Sequence, residues 1–185
     1  SYWISTGINH LNEGNWGKME LIRGLHNFRP EHRGCVATIG NFDGVHLGHQ
    51  TVLRQVKAKA QELGLPSTVV VFEPQPREFF AKDQAPARLT RFRDKTERLA
   101  EQGVDRVVCL PFNRRLASLS AQAFIEEVLI QGLDIRYLVV GDDFRFGCDR
   151  AGDFALLQQV GEEQGFDVVH TETFEVAAER VSSTR

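Results

Sequence analysis

One methionine, three cysteines and six prolines in 185 residues leave little room for several kinds of protein. Cys35, Cys109 and Cys148 are widely spaced and odd in number. That argues against a disulfide framework and for reduced thiols in a cytoplasmic protein. No stretch approaches the ~18 consecutive apolar residues of a membrane span, so no membrane partner is expected. Neither charge sign dominates. Lys and Arg number 22 against 25 Asp and Glu, a net charge of −3, and nothing here draws the chain to nucleic acid. Internal repeats and low-complexity tracts are also missing, which sets aside solenoids and disordered tails. What is present, 42% hydrophobic and 25% charged residues, suits one domain with a packed core. Residues 1–18 differ, with Ser1, Thr6, Asn9, Asn12 and Asn15 among glycines. They are expected to be a leader or an upstream extension outside the fold, leaving residues 19–185 as the domain.

Past Met19, Glu20 to Leu25 suggests a short strand or turn. Cys35 to Ile39 is an apolar run that reads as a buried strand, broken by Gly40 and the pair Asp43-Gly44. Val52, Leu53, Val56, Ala60 and Leu63 then recur at helical spacing up to a stop at Gly64. Thr68 to Phe72 is a β-branched strand, ended by Glu73-Pro74-Gln75-Pro76. Phe79 to Ala87 reads as an irregular loop, followed by a helix from Arg91 to Gln102 with Thr90 as N-cap. Further strands are expected at 106–110, 137–141 and 166–170. Helices are expected from Ser120 to about Ile130 and from about Asp153 to Glu163. Strands alternating with helices predict a Rossmann-like, doubly wound parallel α/β sheet, which binds ligands beyond the carboxyl ends of its strands.

The richest stretch lies after the first long strand, Gly40-Asn41-Phe42-Asp43-Gly44-Val45-His46-Leu47-Gly48-His49. Strand, glycine-bearing turn and helix start turn free backbone N–H groups and a positive dipole end toward a ligand, which suits phosphate. His46 and His49, three apart, share one face of that helix, and Gly48 lets a ligand reach the backbone between them. A packed core edge is the plain alternative. An isolated metal pair lacks further His or Cys at ligand spacing.

Other clusters fall at the ends of the later strands. Asp43 suits orienting phosphate or magnesium, or an Asp-Gly turn. Phe72, Phe79 and Phe80 could wall a flat ring, although composition alone favours core. Asn113 offers a ligand hydrogen bond or ordinary turn chemistry. Asp142 and Asp143 are adjacent loop acids whose neighbours Phe144 and Phe146 suggest a lined pocket. Ser182-Ser183-Thr184-Arg185 carries hydroxyls and a guanidinium suited to phosphate oxygens, or is a polar terminus.

In order, the chain carries G-N-F-D-G-V-H-L-G-H, F-E-P-Q-P, L-T-R-F-R-D-K, F-N-R-R-L-A, G-D-D-F-R-F-G, R-A-G and R-V-S-S-T. This series resembles the N-terminal module of bacterial FAD synthetases, members of the HxGH nucleotidyltransferases. The resemblance implies an FMN adenylyltransferase that joins ATP and FMN into FAD and pyrophosphate with magnesium. It implies catalytic roles for His46 and His49. ATP would contact Gly40, Asn41, Phe42, Asp43, Gly48, Gly141, Arg180, Ser183 and Thr184. The flavin would lie among Phe72, Pro74, Pro76, Asn113 and Asp143. No residue is assigned as a metal ligand. The family's C-terminal riboflavin kinase domain is absent from these residues. Gln75 stands where many relatives carry histidine and Leu116 where phenylalanine is common. The S-S-T-x-I-R motif stops at Arg185, so impaired activity is expected of this chain. Two rivals remain: an HxGH adenylyltransferase with another phosphate acceptor, and a non-catalytic flavin- or nucleotide-binding module.

Overall fold

The computed structural model describes residues 19–27, 29–30, 33–40, 42, 47–73, 85–141 and 144–171, with backbone alone for 47–49 and 85–91. Six strands form one sheet: β1 (Glu20–Arg23), β2 (Cys35–Ile39), β3 (Ser67–Phe72), β4 (Arg106–Leu110), β5 (Ile135–Val140) and β6 (Asp167–His170). Their order across the sheet is β1-β4-β3-β2-β5-β6, and every neighbouring pair is parallel. β2 lies inside the sheet and is buried along its whole length, which is why its sequence is continuously apolar. The expected doubly wound sheet is present. The segment read as strand or turn, Glu20–Arg23, is a true edge strand beside β4.

Alternation along the strands divides the core in two. Val69 and Val71 of β3 face α1 (Leu47–Leu63) and α2 (Ala85–Glu101), meeting Leu53, Val56, Phe92 and Leu99. Val70 faces the other way. There β5 and the segment 121–132 contribute Leu138, Ile125 and Leu129, and α5 (Phe154–Gln164) adds Leu157 and Val160. Each side of the sheet therefore loses its apolar surface to helices, the condition for a stable parallel sheet.

Besides shifts of one or two residues at element ends, such as β5 beginning at Ile135, three features differ from the sequence reading. The helix expected from Arg91 begins at Ala85, so Thr90 is an interior residue rather than the N-cap and residues 85–87 are helical. Pro86 falls in its first turn, where a missing N–H costs nothing. A single turn of helix not anticipated, α3 (Arg114–Ala117), follows β4. The helix capped by Ser120 starts as expected, with the hydroxyl accepting from Ala123 N–H at 3.1 Å. After α4 (Ala121–Phe124) it widens into a π-helix, Ile125–Gly132. Leu133 N–H there donates to the Val128 carbonyl, five residues back, at 2.9 Å. Periodicity tuned to 3.6 residues does not anticipate such a segment. α5 has both expected ends: Asp153 accepts from Leu156 N–H at 2.9 Å, and Gly165 closes it at φ 92°.

Candidate active site

The carboxyl ends of β2, β3, β4 and β5 make one edge of the sheet. On β2 the last rung is Gly40 N–H donating to the Val70 carbonyl at 3.1 Å. The chain then turns so sharply that Phe42 takes φ 54° and folds its ring back, leaving it 4% exposed in the core. A Cβ on Gly40 would sit 2.9 Å from that ring, so the turn depends on glycine there. Leu47, Gly48 and His49 form the first turn of α1. The first N–H groups of a helix have no intrahelical acceptor, and the dipole adds positive potential at that end. Phe42 thus contributes backbone to this region, while its ring holds the turn in place.

Beside this edge, on the α4–α5 side of the sheet, is a cavity of about 390 Å³. Phe72, Phe112, Phe124, Phe144 and Phe146 line it, together with Leu116. Phe72 meets Phe112 edge-on, with centroids 5.8 Å apart and planes at 83°. Phe144 and Phe146 stack at 5.4 Å with planes 25° apart, and Phe146 leans on Phe124 at 5.5 Å. Such walls suit a flat fused ring, because aromatic pairs gain from offset or edge contacts beyond simple burial. Arg145, Cys148 and Arg150 bring polar groups to the same cavity.

The aromatic wall rides on a hairpin, residues 144–152. Phe146 and Gly152 exchange backbone hydrogen bonds of 3.2 and 3.1 Å. Gly147 at φ 90° packs so closely that a Cβ would lie 2.5 Å from Ala121 N. Asp149 accepts from Ala151 N–H and from Ala121 N–H, both at 3.2 Å, and these two bonds hold its carboxyl below the ordinary aspartate pKa.

The α1–α2 side is chemically different. Arg23, Glu73 and Lys95 are buried there at 9%, 7% and 3% exposure. The Arg23 guanidinium lies 4.5 Å over the Phe92 ring. Burial lowers the Arg23 pKa, opposed by Cys109 and Glu73, and burial pushes the Cys109 thiol up to about 12. Glu73 N–H donates to the Leu110 carbonyl at 3.0 Å, so the backbone pairing with β4 continues past the end of β3.

The structure places Gly40, Phe42, Gly48, Phe72 and Gly141 along one edge, with the backbone of His49 in the first turn of α1. Asn113 directly follows Phe112, whose ring meets Phe72. Its side-chain oxygen caps α3, accepting from Leu116 N–H at 2.9 Å, and it lines a neighbouring cavity of about 370 Å³, with His26 and Arg115, that shares Leu116 and Leu119 with the aromatic one. Asn41, Asp43, His46, Pro74, Pro76, Asp143, Arg180, Ser183 and Thr184, and the side chain of His49, lie outside the described residues, as does the segment 1–18. The sequence reading missed Leu116 and Arg150 as cavity residues, while Gly147 ends the strand exit it pointed to. The R-A-G motif was visible, but nothing in the order of residues says that its hairpin folds over Ala121. No group of three or more His, Cys, Asp or Glu among the described residues could hold a metal ion.

An all-parallel six-stranded sheet with flanking helices and a glycine turn opening a helix after an interior strand defines an α/β nucleotidyltransferase-like protein. The FAD synthetase family model matches residues 28–185, and the chain belongs to that family. It is 60% identical over 167 residues to a bifunctional riboflavin kinase/FMN adenylyltransferase of Pseudomonas fluorescens, covering 90% of this chain and 53% of that protein. The protein of that name from Escherichia coli (strain K12) is 54% identical over the same shares. That of Haemophilus influenzae is 51% identical over 166 residues, 90% of this chain and 54% of that protein. The chain spans about half the length of these curated relatives. A crystal structure of a macrolide-efflux protein from Streptococcus pneumoniae superposes with TM-score 0.64 and 25% identity, over 83% of this chain and 49% of that one. Among the described residues, no helix is long and apolar enough to cross a membrane.

Proposed function

We propose that the chain is an FMN adenylyltransferase, forming FAD and pyrophosphate from ATP and FMN. The observation that carries this reading is a glycine turn and helix start after β2 beside an aromatic cavity at the same sheet edge. One end suits a polyphosphate and the other a fused ring.

An oxygen of the FMN phosphate attacks the α-phosphorus of ATP in line. The bond from that phosphorus to the oxygen bridging the β-phosphate breaks, and pyrophosphate leaves with the electron pair. A phosphate monoester is already anionic near neutral pH, so no general base is required. Catalysis then rests on positioning and on stabilising charge in the transition state. His46, His49 and the α1 N-terminus hold the triphosphate. Gly40, Asn41, Phe42, Asp43 and Gly48 shape the turn around it, and Gly141, Arg180, Ser183 and Thr184 contact the rest of ATP. Phe72, Pro74, Pro76 and Asp143 bound the flavin. Asn113 joins them through its amide nitrogen, its oxygen being engaged as a cap. Magnesium accompanies the ATP phosphates and offsets their charge.

The adenylyltransferase domain occupies residues 19–185. The longer protein also carries riboflavin kinase activity in a further domain, as the names of the relatives describe for those proteins. A cytoplasmic location fits three free thiols. The test is incubation of the chain, extended through the rest of the S-S-T-x-I-R motif, with ATP, magnesium and FMN while FAD and pyrophosphate are followed. Equal amounts of both are expected, and His46→Ala should lower turnover by about 10²–10³ with the fold intact. Turnover of that variant near the parent's would remove His46 from the mechanism. Pyrophosphate released only with a nicotinamide or pantetheine phosphate would keep the chemistry and change the acceptor.

A further inference from the structure

We propose that the hairpin 144–152 is the element that selects the acceptor, and that Asp149 is its positioning residue. The inference rests on the flavin reading of the aromatic cavity.

Phe144 and Phe146 form one wall of that cavity, yet they belong to a loop between β5 and α5 rather than to a strand or helix. A loop wall is only as fixed as its attachments. Its own backbone closure is one antiparallel bridge between Phe146 and Gly152 and a turn bond from Arg150 N–H to the Gly147 carbonyl at 3.1 Å. Its position against the body of the protein comes from the turn before α4. Cys148 N–H donates to the Leu119 carbonyl at 2.8 Å, and the Cys148 thiol reaches the Ser118 carbonyl at 3.2 Å. Asp149 adds the bond that only a side chain can supply. One carboxylate oxygen takes the N–H of Ala121, 28 residues earlier, and the N–H of Ala151 within the hairpin. The first of these bonds locks the hairpin to the helix start, and the second locks its own turn. Ala121 is also the residue against which Gly147 is pressed. Three residues later on α4, Phe124 is the ring on which Phe146 rests. Asp149 therefore sets the spacing between the hairpin wall, Phe144 and Phe146, and the opposite wall, Phe124 and Phe72. That spacing decides whether a flat ring is gripped. Asp149 touches no ligand itself. It acts through the two phenylalanines, on the ring end of the site and not on the triphosphate end.

The experiment compares the 185-residue parent with Asp149→Ala and Asp149→Asn. FMN binding is read by quenching of flavin fluorescence and ATP binding by calorimetry, so turnover is not needed. Asp149→Ala should weaken FMN about tenfold while ATP affinity stays within about twofold. Asp149→Asn, which keeps an accepting oxygen at the same place, should recover most of the loss. FMN affinity unchanged in Asp149→Ala overturns the positioning role and leaves the flavin reading standing. Equal losses for FMN and ATP also overturn it, since a merely structural role predicts that result. A parent chain that binds ATP but no FMN overturns this proposal together with the reading beneath it.

Discussion

The two sides of the sheet solve the same problem, fixing the carboxyl ends of the strands, with opposite chemistry. On the α1–α2 side the ends of β1 and β3 meet buried charge, Arg23, Glu73 and Lys95, with the Arg23 guanidinium over the Phe92 ring. On the α4–α5 side the ends of β3 and β4 open onto phenylalanines around a hollow of about 390 Å³. A buried ionic cluster is unforgiving, because loss of one member leaves the others without compensation in a low dielectric. An aromatic wall is more forgiving, because truncating one ring loses contacts and strands no charge. The charged side is buried, and the hollow side is left able to accept a guest.

Three measurements would break or sharpen that contrast. The largest effect is expected from Arg23→Met, which removes one buried cation while nearly preserving volume. It should lower the free energy of unfolding by about 3 kcal/mol in urea denaturation, with the cavity unaltered. A loss no greater than that of a surface substitution would show that the charged side bears no special load. Next is Gly147→Ala on the hollow side. The position has φ 90° and would place a Cβ 2.5 Å from Ala121 N, so a cost of about 1–3 kcal/mol is expected. Because the strain sits in the hairpin, FMN affinity should fall with stability, whereas Arg23→Met should move stability alone. The smallest effect is chemical. Burial raises the thiol pKa of Cys35 to about 11 and of Cys109 to about 12, which keeps both protonated and shielded. Cys148 is exposed at the cavity. Native protein at pH 8 should therefore take up one equivalent of an alkylating reagent and three after unfolding. Bound FMN should slow the first. Rapid labelling of Cys109 in the native state would mean that the charged side opens more readily than its packing implies.

Much of this architecture was legible in the residues because it depends on local rules. Continuous apolar runs announced buried parallel strands, as at Cys35–Ile39, and Asp153 and Gly165 marked the ends of α5 by capping chemistry. The start of α2 was misread because Thr90 is a good capping residue in isolation, while Pro86 in a first turn is equally acceptable and the helix extended to it. Phe72 shows where local reading stops. A phenylalanine at the end of a β-branched run is core or pocket depending on what approaches it, and here Phe112, Phe124 and the hairpin approach it from three separate segments.

By itself the sequence determined the alternation of strands and helices, the glycine turn before α1 and the order of motifs that marks the family, since each is written in neighbouring residues. Tertiary structure alone decided that Asn113 lies beside His26 at a second cavity and that β1 completes the edge beside β4. It also decided that Asp149 reaches back 28 residues to Ala121 and holds an aromatic wall in place. Those facts depend on parallel strands bringing distant loops to one edge, and no local pattern encodes that distance.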